Sequence, residues 1–397
     1  MVRKDRSSYV NKTYLMIMLP KFYQTHLKSQ LSLAEYLLLK IILTLLQSIK
    51  KVSLETLATA LPIPITFESR RKKIQRFLSL RSLTIEKIWF PIVTAWLETQ
   101  FTSEQIIYVV IDRTSWACVN LFMISVVWDK RAFPVYFELL PKLGASNINE
   151  QKAIMSKVLP LFKDYKTCVL GDREFCSVHL ANWLKEWNVY FCLRLKKNHF
   201  VEMQTDVWLE LKDLGLSPGV SGFLQGVKVT KIKGFNRFNV AGKWQRKILG
   251  VEKEEGWFIF TNLETLEAAL AAYKRRFDIE EMFRDFKSGG DNLEDTNVSN
   301  ERLISMILLI ALAYTSAIIQ GQQIKRKGVQ KYVGRVKEYG RIERRHSSFY
   351  IGLYGQGWVN FMEQCKVLVT DLMKLSRNKR SFYQRGLRAM ELILSAS

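Results

Sequence analysis

The segment Ile106–Ile111, IIYVVI, is a continuous apolar run dominated by β-branched residues, and it offers no polar face. A strand of that kind must be covered on both sides, which calls for a sheet with helices on each face. Leu121–Val127 and Ala132–Leu139 follow as hairpin neighbours. A helix fits Ile148–Phe162, a strand Thr167–Leu170, a helix Val178–Trp187 and a strand Tyr190–Leu195. The pattern is therefore α/β rather than all-helical or all-β.

Three strands, a helix, a strand, a helix and a strand is the order of a ribonuclease H-like α/β fold. Between about 200 and 260 short strands and glycines, Gly219 to Gly250, point to a β-rich insertion. One long helix is expected from Glu264 through Lys287, with Asn262 or Thr261 able to cap it. Upstream, Ser32-Leu33-Ala34-Glu35 is a capping box that opens an apolar helix over Tyr36–Ile49. Ser53–Leu61 and Ser69–Leu78 complete a helical region, and Arg70, Arg71, Lys72, Lys73 and Arg76 share its last helix. That order suggests a helix-turn-helix-like unit with a basic second helix; a solvated face on an ordinary bundle gives the same pattern. Leu303–Gln320 is uncharged and nearly long enough to cross a bilayer, and it is read as a core helix, with no membrane partner expected. Beyond residue 325 basic residues dominate, with Arg341, Arg344, Arg345, Arg377, Lys379 and Arg380 prominent. The expected organisation is a helical N-terminal, DNA-binding domain over 1–98, a catalytic domain over 99–324 and a basic helical C-terminal region over 325–397.

Charge narrows the function. Lys and Arg number 60 against 37 Asp and Glu, a formal net charge of +23, and a polyanionic partner explains such self-repulsion most simply. The odd set of cysteines, Cys118, Cys168, Cys176, Cys192 and Cys365, contains no CxxC pair, which argues against a disulfide framework or zinc site. Buried thiols in a reducing cytosol fit better. The histidines are scattered, so a His-based metal site is not expected either.

Asp112 ends IIYVVID and Asp172 follows TCVLG, so each carboxylate is expected at a strand end, where sites form in open α/β sheets. Alone, either would read as a turn former or helix cap. In AAYKRRFDIEEMFRDFKSGG, Tyr273, Arg276, Glu280 and Lys287 fall within roughly a 60° arc if the segment is one helix, at about 100° per residue. Such a stripe runs about 20 Å, enough to follow several phosphates. A plain solvated face is the alternative.

With these residues in view, the chain resembles DDE transposases of bacterial insertion sequences, specifically the insertion sequence four family with its Y-(2)-R-(3)-E-(6)-K signature. IDRTSW around Asp112 and GDREF around Asp172 look like that family's aspartate motifs. The resemblance covers about residues 105 to 290. It implies cut-and-paste DNA transposition on a ribonuclease H-like core, with Asp112, Asp172 and Glu280 as catalytic metal ligands. Two Mg²⁺ ions are the implied cofactor, with Mn²⁺ able to substitute. Tyr273, Arg276 and Lys287 would contact phosphates. A tryptophan near the insertion's end would stack on a displaced base; Trp257 is the candidate, Trp244 the competitor, and either could serve as core. Terminal inverted repeats and target DNA are the implied partners, with a homodimer in the DNA complex and a bacterial cytoplasmic location. A ribonuclease H-like nuclease that cuts without joining, and a DNA-binding regulator without catalysis, remain as alternatives.

Overall fold

The structure is a computed structural model that describes residues 19–230, 237–244, 256–287, 292–296, 298–337, 339–340, 346–375 and 377–395. Arg341, Arg344, Arg345, Gly234 and Gly250 lie outside the described residues. In chain order the helices before the sheet are α1 Lys21–Gln30, α2 Leu33–Ile49, α3 Leu54–Ala60, α4 Phe67–Leu78 and α5 Phe90–Gln100. Strands β1 Ile106–Trp116, β2 Val119–Trp128 and β3 Arg131–Leu139 follow, then α6 Ile148–Val158, β4 Lys166–Gly171, α7 Val178–Glu186 and β5 Tyr190–Arg194. Next come β6 Phe200–Gln204, β7 Val207–Glu210, β8 Ser221–Val229, β9 Arg237–Lys243 and β10 Trp257–Thr261. The chain continues with α8 Leu266–Lys274, α9 Phe277–Phe286, α10 Asn300–Arg326, α11 Ser348–Gln364, α12 Lys366–Leu375 and α13 Arg380–Leu394.

Two compact units form: residues 78–308, and residues 1–77 together with 309–397. The first holds one mixed sheet in the order β3-β2-β1-β4-β5-β10-β9-β8-β6-β7. β1 is antiparallel to β2 but parallel to β4, and β4 is parallel to β5. From β5 outward every pairing is antiparallel. The β-rich segment expected over 200–260 thus extends the central sheet through β10.

Burial explains the central position of β1. Ile107, Val109, Val110 and Ile111 are fully buried, as are Val169 and Leu170 of β4 and Phe191, Cys192 and Leu193 of β5. At the β3 end an aromatic stack seals one face: Trp96 lies 3.8 Å from Phe133, and Trp89 lies 5.4 Å from it. The Trp89 indole also donates to the Pro134 carbonyl at 3.0 Å, so its polar edge is satisfied within the core.

The second unit is helical in its described residues. Its α2 begins with the expected capping box: Ser32 accepts from the Glu35 amide, and the Glu35 carboxylate accepts from the Ser32 amide. Gly321 and Gly352 let α10 and α11 touch backbone to backbone; a Cβ on either would lie 1.8 Å from a carbonyl oxygen of the other helix. The apolar window of α10 is 89% buried inside the protein, as a core helix requires.

Candidate active site

β1 and β4 run in register until Ile111 pairs with Gly171, and there the parallel ladder stops. Asp112 and Asp172 come next, but only Asp172 follows a strand end; Asp112, expected to close its strand, lies inside β1 where its pairing with β4 has stopped. Gly171 permits the close packing at this point, since a Cβ there would meet Phe175 Cβ at 2.9 Å and Leu193 Cδ2 at 3.0 Å. β1 itself continues past Asp112, paired only with β2 as far as Trp116.

The third acid comes from a helix that differs from expectation. The segment 264–287 is two helices, α8 and α9, separated by a turn at Arg275 and Arg276. Amides of Arg275, Arg276, Asp278 and Ile279 reach the carbonyls of Ala272, Tyr273, Arg275 and Arg276, each only three residues back. This tighter winding resets the phase of the helix, so the single charged stripe does not exist. Thr265, rather than Asn262 or Thr261, caps α8 through the Ala268 amide. Asn262 instead ties β5 by accepting from the Phe191 amide and donating to the Val189 carbonyl.

The reset carries Arg276 inward. Its side chain is 8% exposed, and its guanidinium lies 3.5 Å from Asp112 while also pairing with Glu280. One buried cation thus joins two acids that stand far apart in the chain. Burial pushes the Asp112 carboxyl up to about 7, against the Arg113 amide and Arg276, with the like charges of Asp172 and Glu280 adding to the rise. All three acids therefore share one electrostatic neighbourhood. As the side chains stand, no three Asp, Glu, His or Cys among the described residues are grouped closely enough to hold a metal ion.

The other expected residues take varied positions. Tyr273 is fully buried beside Arg276 and Arg194; burial raises its phenol, and the two guanidinium groups oppose the rise. Lys287 pairs with Glu294 at 2.6 Å, and its ammonium lies 5.8 Å from the Trp116 ring centre. Trp257 is buried on β10, with its ring against Tyr273 and Phe277 at 5.4 and 5.6 Å; Trp244 is half-buried. Arg70, Arg71, Lys72 and Lys73 lie on α4, where Arg70 donates to the Leu61 carbonyl, Arg71 pairs with Glu55, and Lys72 and Lys73 are exposed.

Sequence reasoning passed over three residues at this site. Arg113 and Glu174 form an ion pair beside the two aspartates. Arg194 closes β5 next to Tyr273, and burial draws its guanidinium down, with Arg173 and Arg276 adding like charge. The available signal was position: Arg113 follows Asp112, Glu174 lies two past Asp172, and Arg194 ends the strand adjoining β4.

A mixed sheet with one carboxylate inside β1, a second just past the end of the parallel β4 and a third acid on a helix defines an acid-bearing α/β domain. Residues 120–316, just under half of the chain, match the family described as Transposase DDE domain. That match takes in Asp172 and Glu280, begins just past Asp112, and supports DNA transposase function. Among solved structures, the chain is similar to a piggyBac transposase synaptic complex with hairpin DNA, at 12% identity and a TM-score of 0.46, covering 87% of this chain and 78% of that one. It is also similar to a Marinitoga piezophila Argonaute in complex with guide RNA and target DNA, at 11% identity and a TM-score of 0.22, covering 55% of this chain and 33% of that one. No curated protein matches.

Proposed function

We propose that this protein is a DNA transposase of the insertion sequence four type, which cleaves phosphodiesters at transposon ends and joins those ends to target DNA. The observation that carries the reading is the pairing of Asp112 and Glu280 with the buried Arg276 guanidinium, with Asp172 close enough to Asp112 for its charge to be felt. The strand order β3-β2-β1-β4-β5, with β1, β4 and β5 parallel, supports a ribonuclease H-like core.

The acids suit Mg²⁺ in donor chemistry, since all three offer hard carboxylate oxygens. The electrostatics support the same assignment: burial, with the charges of Asp172 and Glu280 adding to it, raises the Asp112 carboxyl to about 7, a penalty that a divalent cation relieves. Glu280 must leave Arg276 to take part, and its side chain is 52% exposed on the first turn of α9, with solvent beside it. Two bound Mg²⁺ ions would lower the pKa of the attacking water or 3′-hydroxyl and neutralise charge at the leaving oxygen. Arg276, once released from Glu280, presents a planar fork that binds a phosphate through two parallel hydrogen bonds. Lys287 supplies a second positive charge at the far end of α9. Pairing two DNA ends requires two protomers, and the basic α4 face gives the helical unit a route to the DNA backbone.

Incubating the protein and Mg²⁺ with DNA bearing the inverted repeats that flank its coding region tests the proposal. Strand-transfer products that disappear in Glu280→Gln support it. Cleavage without joining would leave a nuclease, and undiminished cleavage by Glu280→Gln would remove the catalytic assignment.

A further inference from the structure

We infer that Arg113 and Glu174 are positioning residues, a clamp that sets the spacing of Asp112 and Asp172; the inference rests on the metal-site reading above. The parallel ladder ends at Ile111 and Gly171, so no backbone bond of that ladder holds the two carboxylates at a fixed separation. The clamp lies just beyond that last rung. Arg113 Nε lies 3.1 and 3.0 Å from the two Glu174 oxygens, and Arg113 Nη2 lies 3.0 Å from Oε2. Both side chains are largely covered, at 18% and 13% exposure.

Each end of the clamp is tied to the aspartate beside it. The Arg113 amide donates to Asp112 Oδ1 at 2.8 Å, and the Glu174 amide donates to Asp172 Oδ1 at 2.8 Å. Asp112, Arg113, Glu174 and Asp172 therefore form one continuous chain of bonds across the gap between the strands. Both partners are braced in turn. Arg113 Nη1 donates to Asn120 Oδ1 at 2.9 Å, and the Asn120 amide donates to the carbonyls of Lys142 and Gly144 at 2.6 and 3.0 Å. Glu174 Oε1 accepts from the Ser146 amide and hydroxyl, both at 2.8 Å. A planar fork facing a carboxylate fixes orientation as well as distance, which a point charge does not.

Groups that orient metal ligands without touching the metal typically contribute about 10- to 100-fold in metal affinity. Calorimetric titration of the full chain with Mn²⁺ alone reads this directly, alongside thermal denaturation. Glu174→Gln, and Arg113→Lys, which keeps the charge and loses the fork, should each weaken Mn²⁺ binding at least roughly tenfold. Wild-type Mn²⁺ affinity in Arg113→Lys overturns the clamp, even where Glu174→Gln fails to fold. A variant that melts earlier yet binds Mn²⁺ as wild type shows a structural ion pair only, and overturns it too. Equal affinity in wild type and Asp112→Asn would instead strike the metal site itself, which separates failure of that reading from failure of the clamp.

Discussion

Metal binding at this site should release a proton, and the amount should depend steeply on pH. Asp112 is pushed up from 3.8 to about 7, chiefly by burial. A folded-state pKa above the unfolded one means that the metal-free protein holds a proton the unfolded chain has lost. Its relative stability is therefore greatest below about pH 4 and falls as pH rises through 7, by on the order of 4 kcal/mol at most. A cation must displace that proton to use the carboxylate. With a pKa of about 7, the expected release from Asp112 is about 0.9 proton per site at pH 6 and about 0.1 at pH 8. Mn²⁺ titrations in two buffers of different ionisation enthalpy count those protons. Asp112→Asn should abolish the difference between pH 6 and pH 8. Equal release at both pH values, or an unchanged difference in Asp112→Asn, would refute the assignment of Asp112 as the protonated ligand.

Three further changes have defined outcomes. Gly171→Ala forces a Cβ to within 2.9 Å of Phe175 Cβ, so it should cost about 1–3 kcal/mol in urea unfolding and also weaken Mn²⁺ binding by displacing Asp172. Gly321→Ala sets a Cβ 1.8 Å from the Ser348 carbonyl oxygen, which only separation of α10 and α11 relieves; a loss beyond about 3 kcal/mol is expected in the same measurement. Glu294→Gln frees Lys287 from its 2.6 Å ion pair, so DNA affinity should rise and the slope of log K against log salt should steepen by about 0.9, one phosphate contact.

Local chemistry was legible wherever it acts alone. The β1–β3 strands and the Ser32 capping box need only apolar runs and a side chain within reach of its own backbone. Asp172 was legible as a strand-end residue, because it follows a run whose burial is written in its composition; Asp112 was not, since β1 runs on through the polar RTSW, which pairs only with β2. The break between α8 and α9 was not, since KRRF contains neither proline nor glycine. The contacts around it are tertiary: Tyr273 packs against Trp257, and Arg276 beside it reaches Asp112. Periodicity placed Arg276 on a charged stripe along one continuous helix, yet it is among the most buried charges of the described residues. Trp257 likewise carries no mark in the sequence that separates a buried ring from one offered to a base. Glu174 sits in plain view inside GDREF, but its partner Arg113 is 61 residues away, and only the parallel pairing of β1 with β4 brings them together.

Anomalous scattering from crystals grown with Mn²⁺ addresses the shared metal site most directly. Peaks about 2.1 Å from carboxylate oxygens of Asp112, Asp172 and Glu280, with Glu280 swung away from Arg276, are the expected result. Glu280 still paired with Arg276 at saturating Mn²⁺, with no peak between the two aspartates, would contradict it.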